Sequence, residues 1–156
     1  MLVSVVGVLA VGLVPGSGWA DPTAPAVEER RQSPFAPDAE SEYNRGARAR
    51  VAGNWAAAAG AFQRAVVLRP EFPEAWNELG YALRHLGRYA ESLDAYGEAL
   101  RLRPDFPEAL EYLGEAYVRM GRLDDARRVL ERLRPLDAPR ARELAEEIGK
   151  GAGAAR

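Results

Sequence analysis

The chain contains no cysteine and a single histidine, His85. Without thiols there is no disulfide framework, no thiolate zinc site and no cysteine nucleophile, and one imidazole excludes a histidine-rich metal site. A surplus of charge is missing too, because 21 basic side chains stand against 23 acidic ones over 156 residues, a net charge of −2. Coating nucleic acid needs a positive field over a whole face, so this balance argues against nucleic acid as a partner. Lysine is almost absent: Lys150 stands beside 20 arginines, a compositional bias from which no function is read. No apolar run reaches the roughly 20 residues that a spanning helix requires.

The longest apolar run, residues 2–14, is followed by Pro15-Gly16-Ser17-Gly18 and reaches Trp19-Ala20 before the first charge at Asp21. Its length suits the apolar region of a secretory signal, with Gly18 and Ala20 as the small residues for cleavage after Ala20. Residues 1–20 are therefore expected to be a signal peptide, which makes the chain exported and periplasmic or secreted. A retained N-terminal membrane anchor is the alternative, and membrane contact is expected only in that case. Residues 21–38 carry Pro22, Pro25, Pro34 and Pro37 among charges and small residues, so a disordered linker is expected there.

What the chain does have is a repeat. Arg69-Pro70-Glu71-Phe72-Pro73-Glu74-Ala75 returns as Arg103-Pro104-Asp105-Phe106-Pro107-Glu108-Ala109, an offset of 34 residues. The same step pairs Gly46 with Gly80 and Gly114, Gly53 with Gly87 and Gly121, and Phe62 with Tyr96 and Leu130. A fixed period of this length means stacked units, here 39–72, 73–106 and 107–140. Within the second unit, Trp76, Leu79, Leu83 and Leu86 share one helical face, and Gly87 supplies the left-handed residue that ends a helix. Ser92, Leu93, Tyr96, Ala99 and Leu100 form a second apolar stripe, stopped by Pro104. Pro73 and Pro107 stand where a first turn has no use for the missing N–H. Gly46, Gly80 and Gly114 fall in mid-helix, where Gly costs roughly 1 kcal/mol against Ala, so close approach of a partner helix is expected at each.

These residues resemble the tetratricopeptide repeat, whose signature is Trp-x2-Leu-Gly-x2-Tyr, then Ala-x3-Phe, then Pro. The second unit matches nearly throughout, with Trp76, Leu79, Gly80, Tyr96, Ala99 and Pro104 in place. The third keeps Leu113, Gly114, Tyr117 and Ala126, but its prolines are displaced to 135 and 139, so its second helix is expected to end early. The first keeps Gly46, Ala58, Phe62, Ala65 and Pro70 but has Glu42 and Arg45 for Trp and Leu, read as a terminal unit with a solvent-facing outer side. The expected fold is all-α, an α-solenoid of three helix-turn-helix units over residues 39–149. A capping helix at about 138–149 covers the last apolar face, and residues 150–156 are expected to be a disordered tail.

The resemblance implies a concave groove lined by the first helix of each unit and open to a peptide or partner helix. Tyr43, Asn44, Ala47 and Arg50 would face it from the first unit, Asn77, Glu78, Tyr81 and Arg84 from the second, and Glu111, Tyr112, Glu115 and Val118 from the third. His85 and Arg119 would stand near the rim. Tyr and Arg tend to carry binding energy and Asn can fix a backbone, which makes Asn77, Tyr81 and Arg84 the foremost contact candidates. In chaperone-binding members of the family, Lys, Asn and Arg at set groove sites hold a C-terminal carboxylate. The matching sites here include Tyr43, Ala47, Glu78, Glu108 and Tyr112, so that clamp is not expected. Net charges of +2, −2 and 0 for the three units suggest a bipolar groove and a protein or peptide partner of mixed charge.

No catalytic role, metal or cofactor is expected. His85 has no Ser or Cys nucleophile set beside it, and Glu111 with Glu115 lacks an enclosing pocket that would raise a pKa for acid catalysis. Asp124-Asp125 opens a helix, where it complements the dipole. The reading is a non-catalytic interaction scaffold or adaptor in the cell envelope. The alternatives are a self-associating module, hence a homo-oligomer, or an accessory subunit of an envelope assembly machine.

Overall fold

The computed structural model describes residues 37–154. The expected signal segment, the linker up to residue 36 and the last two residues of the tail lie outside the described residues. Seven helices follow one another: α1 (Ala39–Val51), α2 (Trp55–Leu68), α3 (Pro73–His85), α4 (Tyr89–Leu102), α5 (Pro107–Arg119), α6 (Leu123–Leu133) and α7 (Ala138–Ala154). No strand occurs among the described residues. The fold is the expected α-solenoid of three helix pairs.

Local chemistry sets the boundaries. Asp38 accepts from the Ser41 N–H at 2.6 Å while the Asp38 N–H donates to Ser41 Oγ at 3.1 Å, a reciprocal cap that starts α1. Asn54 accepts from the Ala57 N–H at the start of α2, and Pro73 and Pro107 open α3 and α5. Gly53, Gly87 and Gly121 take φ of 69°, 74° and 71° in the turns inside the three units, as a left-handed residue after a helix must. The Trp76 indole N–H donates to the Pro70 carbonyl at 2.8 Å, tying the start of the second unit to the end of the first.

Each mid-helix glycine lies under a large side chain. A Cβ on Gly46 would fall 2.6 Å from the Phe62 ring, and one on Gly80 would fall 2.7 Å from the Tyr96 ring. The absent side chain is what lets each partner helix approach, as the spacing suggested. Ser92 Oγ donates to the Gly80 carbonyl at 2.8 Å, so the small residue of α4 also anchors that crossing. The apolar core runs in two connected clusters: Phe62, Leu79 and Leu83 in the first, Tyr96, Leu110, Leu130, Leu133 and Leu144 in the second, with Trp76 packed against both.

Three details differ from the expectation. Glu42, read as solvent-facing, is only 1% exposed, and its carboxylate pairs with Arg64 Nε at 2.8 Å and Arg45 at 3.2 Å. One period on, Trp76 and Leu110 occupy the same position, so the first unit fills with an ion pair the site that the others fill with apolar bulk. The capping helix does not stop at Gly149 but continues to Ala154. Its last turns are held because a Cβ on Gly151 would lie 3.2 Å from both Val118 and Leu123, so the small residue seats this stretch on α5 and α6. In the third unit, α6 stops at Leu133 and has 11 residues against 14 in α4. The early end was anticipated; that Leu144 of α7, rather than Leu130, covers Gly114 was not.

Candidate functional site

The first helices of successive units touch one another, α1 with α3 and α3 with α5, whereas the second helices α2, α4 and α6 do not approach each other. A stack whose first helices converge curves around them, so α1, α3 and α5 line its inner face. Two features occupy that face.

The first is a row of rings. Trp55 stacks on His85 with centroids 3.9 Å apart and planes at 10°, His85 meets Tyr81 at 4.6 Å, and Tyr81 meets Tyr112 at 4.8 Å. Arg84 lies over both tyrosine rings, at 5.1 and 5.7 Å, and pairs with Glu115 at 2.8 Å. Its side chain is only 11% exposed, so Arg84 is as much a packing residue as a contact. Burial, then the charges of Arg84 and Arg119, hold the His85 imidazole below its ordinary range.

The second is a cavity of about 290 Å³ among α1, α3, α5 and α7, with Tyr43, Asn77, Glu78, Glu108, Tyr112 and Arg140 on its walls. Arg50 approaches Glu78 Oε2 with Nε at 3.1 Å, yet the pair is misaligned and neither buried atom makes a hydrogen bond. Asn77 is 4% exposed, and its Oδ1 is also without a hydrogen-bond partner. Burial pushes the Glu78 carboxyl above the usual carboxylate range; Arg50 opposes this and Glu108 adds to it. Tyr43 and Tyr112 are raised as well, first by burial and then by neighbours that include Glu78. Beneath the cavity Glu111, 5% exposed, is hydrogen-bonded by Arg140, and burial still carries its carboxyl upward.

Of the residues expected in the groove, Tyr43, Arg50, Asn77 and Tyr112 come together at the cavity, and Tyr81, Arg84 and Glu115 at the ring row. Asn44 is exposed and is not among the cavity's lining residues, and Glu111 is buried under Arg140 rather than open to the groove. The expected bipolar groove is not what forms, because Arg50–Glu78 and Arg84–Glu115 pair charge across adjacent first helices. Trp55, Glu74, Arg103 and Arg140 were missed. For two of them the period carried a signal: Glu40–Arg69 recurs one step on as Glu74–Arg103, each arginine over the Phe three residues later. Asp137 breaks the series, and Arg140 takes over by pairing with Glu108 at 3.2 Å. Among the described residues no group of three acidic or imidazole side chains could hold a metal ion.

Comparison with known proteins agrees with this architecture. A model described as TPR repeat matches residues 80–121, and one described as tetratricopeptide repeat matches residues 61–94. Together they run from residue 61 to residue 121, covering the whole second unit, the latter part of α2 in the first unit and α5 of the third. No curated protein matches. Among solved structures, the TPR2B domain of yeast Sti1 in its pHsp70 complex is similar at 21% identity and a TM-score of 0.69, over 74% of this chain and 97% of that one. The first TPR of Spaghetti (RPAP3), bound to the HSP90 peptide SRMEEVD, is similar at 20% identity and 0.67, over 75% of this chain and 94% of that one. The MamA protein is similar at 26% identity and 0.61, over 67% of this chain and 57% of that one.

Proposed function

We infer that this array of tetratricopeptide repeats is a non-catalytic adaptor that holds an extended or helical segment of a partner protein along the inner face of α1, α3 and α5. The observation that carries this reading is the pairing of an aromatic row with a half-open cavity in which the buried Asn77 Oδ1 has no hydrogen-bond partner. Buried polar atoms are normally satisfied, and an unpaired one in an open groove leaves a place for a donor from outside. Tyrosines supply rigid, amphipathic contact area of the kind that dominates interfaces. The solved relatives bound to pHsp70 and to an HSP90 peptide support a peptide as the occupant.

The place of action we propose is the cell envelope, after export directed by residues 1–20. This rests on the short apolar run and the small residues before Asp21. No helix among the described residues is long and apolar enough to cross a membrane. Fusing residues 1–38 to a reporter active only outside the cytoplasm tests the placement: an active, shortened reporter supports it, and an inactive one contradicts it.

The groove is tested by replacing Tyr81 with a photo-crosslinking phenylalanine analogue, with Val67 of α2, which is 69% exposed, as the control. Crosslinking of a partner at Tyr81 and not at Val67 is expected. Crosslinking only at Val67 contradicts the groove.

A further inference from the structure

The ring row on the inner face has its charges met and its donors open. Arg50 and Arg84 lie over the Tyr81 ring at 5.8 and 5.1 Å, and Arg84 also lies over Tyr112 at 5.7 Å. Each arginine has a glutamate beside it, Glu78 at 3.1 Å and Glu115 at 2.8 Å. The tyrosine faces that would attract a cation are therefore taken, and the two arginines are already paired against an anion. His85, held below its ordinary range by burial and by Arg84 and Arg119, adds an uncharged ring at neutral pH. None of the four rings is buried. Among the described residues, the Trp55 indole N–H and the hydroxyls of Tyr81 and Tyr112 have no hydrogen-bond partner and are not closed off from solvent, whereas the Trp76 indole N–H is held by Pro70. An indole N–H can only donate and a phenol donates readily, so the row offers flat apolar faces edged with donors.

We propose that the row from Trp55 to Tyr112 is a subsite for a proline-rich stretch of the bound segment in the polyproline II conformation, its rings against the aromatic faces and its carbonyls accepting from the indole N–H and the tyrosine hydroxyls. The proposal deepens the groove reading and rests on it. Polyproline II makes no internal hydrogen bonds, so its carbonyls stay available, and aromatic-lined grooves are the surfaces that receive it. A helix has spent its carbonyls on itself. A strand brings N–H groups as well, and the carboxylate beside the row, Glu115, is already engaged by Arg84. Proline has no N–H to satisfy. The length also suits: ring steps of 5.8 Å from Trp55 to Tyr81 and 4.8 Å from Tyr81 to Tyr112 put the row on the scale of one polyproline II turn, roughly 9 Å for three residues.

The test uses the full chain, labelled for NMR and titrated separately with three capped hexapeptides at matched ionic strength: hexaproline, alternating Ala and Gln, and hexaglutamate. Hexaproline should produce saturable shifts at the Trp55 indole N–H, Tyr81, His85 and Tyr112, and the other two should not. Trp55→Ala, read at Tyr112, should weaken hexaproline binding about tenfold, as expected for loss of an aromatic anchor. Trp55→Phe, which keeps a ring and loses the N–H, should weaken it by a smaller factor. An unchanged spectrum away from the row verifies the fold of both variants. Saturation by the Ala–Gln peptide or by hexaglutamate at least as strong as by hexaproline, an unaltered affinity in both Trp55 variants, or no saturation by hexaproline would each overturn the proposal. The photo-crosslink at Tyr81 separates the two readings. A proline-free partner segment captured there, with hexaproline silent, removes the polyproline subsite and leaves the groove, whereas hexaproline saturation with no partner captured removes the groove and leaves the subsite.

Discussion

Leu144 of the capping helix lies over Gly114 of α5, where a Cβ would come within 2.5 Å of its Cδ2. Phe62 and Tyr96 cover Gly46 and Gly80 in the same way from within their own units. The third unit therefore borrows from α7 the side chain that the others supply themselves. Leu144→Ala should cost about 2–5 kcal/mol, the range for emptying a well-packed apolar site, measured by urea denaturation. Gly114→Ala alone should destabilise by overpacking, and combining it with Leu144→Ala should recover part of the loss. Strict additivity of the two would contradict the contact.

The glycines divide by what stands above them. Gly97 of α4 is exposed, and a Cβ there meets nothing within 4 Å, whereas one on Gly80 meets Tyr96. Gly97→Ala should raise stability by about 0.5–1 kcal/mol through helix propensity. Gly80→Ala should lower it, because an overpacking cost of about 1–3 kcal/mol exceeds that gain. Thermal melts of the two variants should move in opposite directions.

The buried Glu42 stands at the position of Trp76 and Leu110, and its charge is met by Arg64. Removing one partner of such a pair leaves a charge uncompensated, while replacing the carboxylate with apolar bulk does not. Arg64→Ala should cost about 1–2 kcal/mol, reduced from the value for a fully buried pair because the arginine is half-exposed. Glu42→Leu should be neutral or stabilising. A large loss in Glu42→Leu with none in Arg64→Ala would contradict this account.

His85 is the chain's one histidine, so its titration can be followed without assignment ambiguity. Burial against Trp55 and the charges of Arg84 and Arg119 place its midpoint below 6.5, the ordinary value. The sign follows from linkage: a depressed folded pKa stabilises the protein above the unfolded value and loses that contribution as pH falls through the folded one. NMR titration should show a midpoint below 6.5, and Arg119→Gln should raise it. A midpoint at or above 6.5 would contradict the stacking and the charge environment.

The repeating elements were legible because each depends on local chemistry that recurs every 34 residues. Pro73 and Pro107 begin helices, Gly53, Gly87 and Gly121 turn the chain, and Gly46, Gly80 and Gly114 admit a neighbour. Features that break the period were not legible. Glu42 looked solvent-facing because a carboxylate at a Trp position implies exposure, and only the fold brings Arg64, on the next helix, to meet it. The continuation of α7 past Gly149 depends on Gly151 against Val118 and Leu123, a contact no helix-propensity reading contains. At the site, facing residues could be assigned from helix phase, which brought in Tyr43, Asn77, Tyr81 and Tyr112. Pairing could not be read that way: Arg50–Glu78 and Arg84–Glu115 join different units and cancel the charge separation inferred from unit totals.

Binding of a protein segment to the inner face of α1, α3 and α5 underlies the proposed function. Its most direct measurement is selection of binders from a random peptide library on the full chain, followed by NMR mapping of the strongest binder. Shifts concentrated at Tyr43, Asn77, Tyr81 and Tyr112 are expected, with α2, α4 and α6 unaffected on their outer faces. Recovery of no binder, or shifts confined to those outer faces, would contradict it.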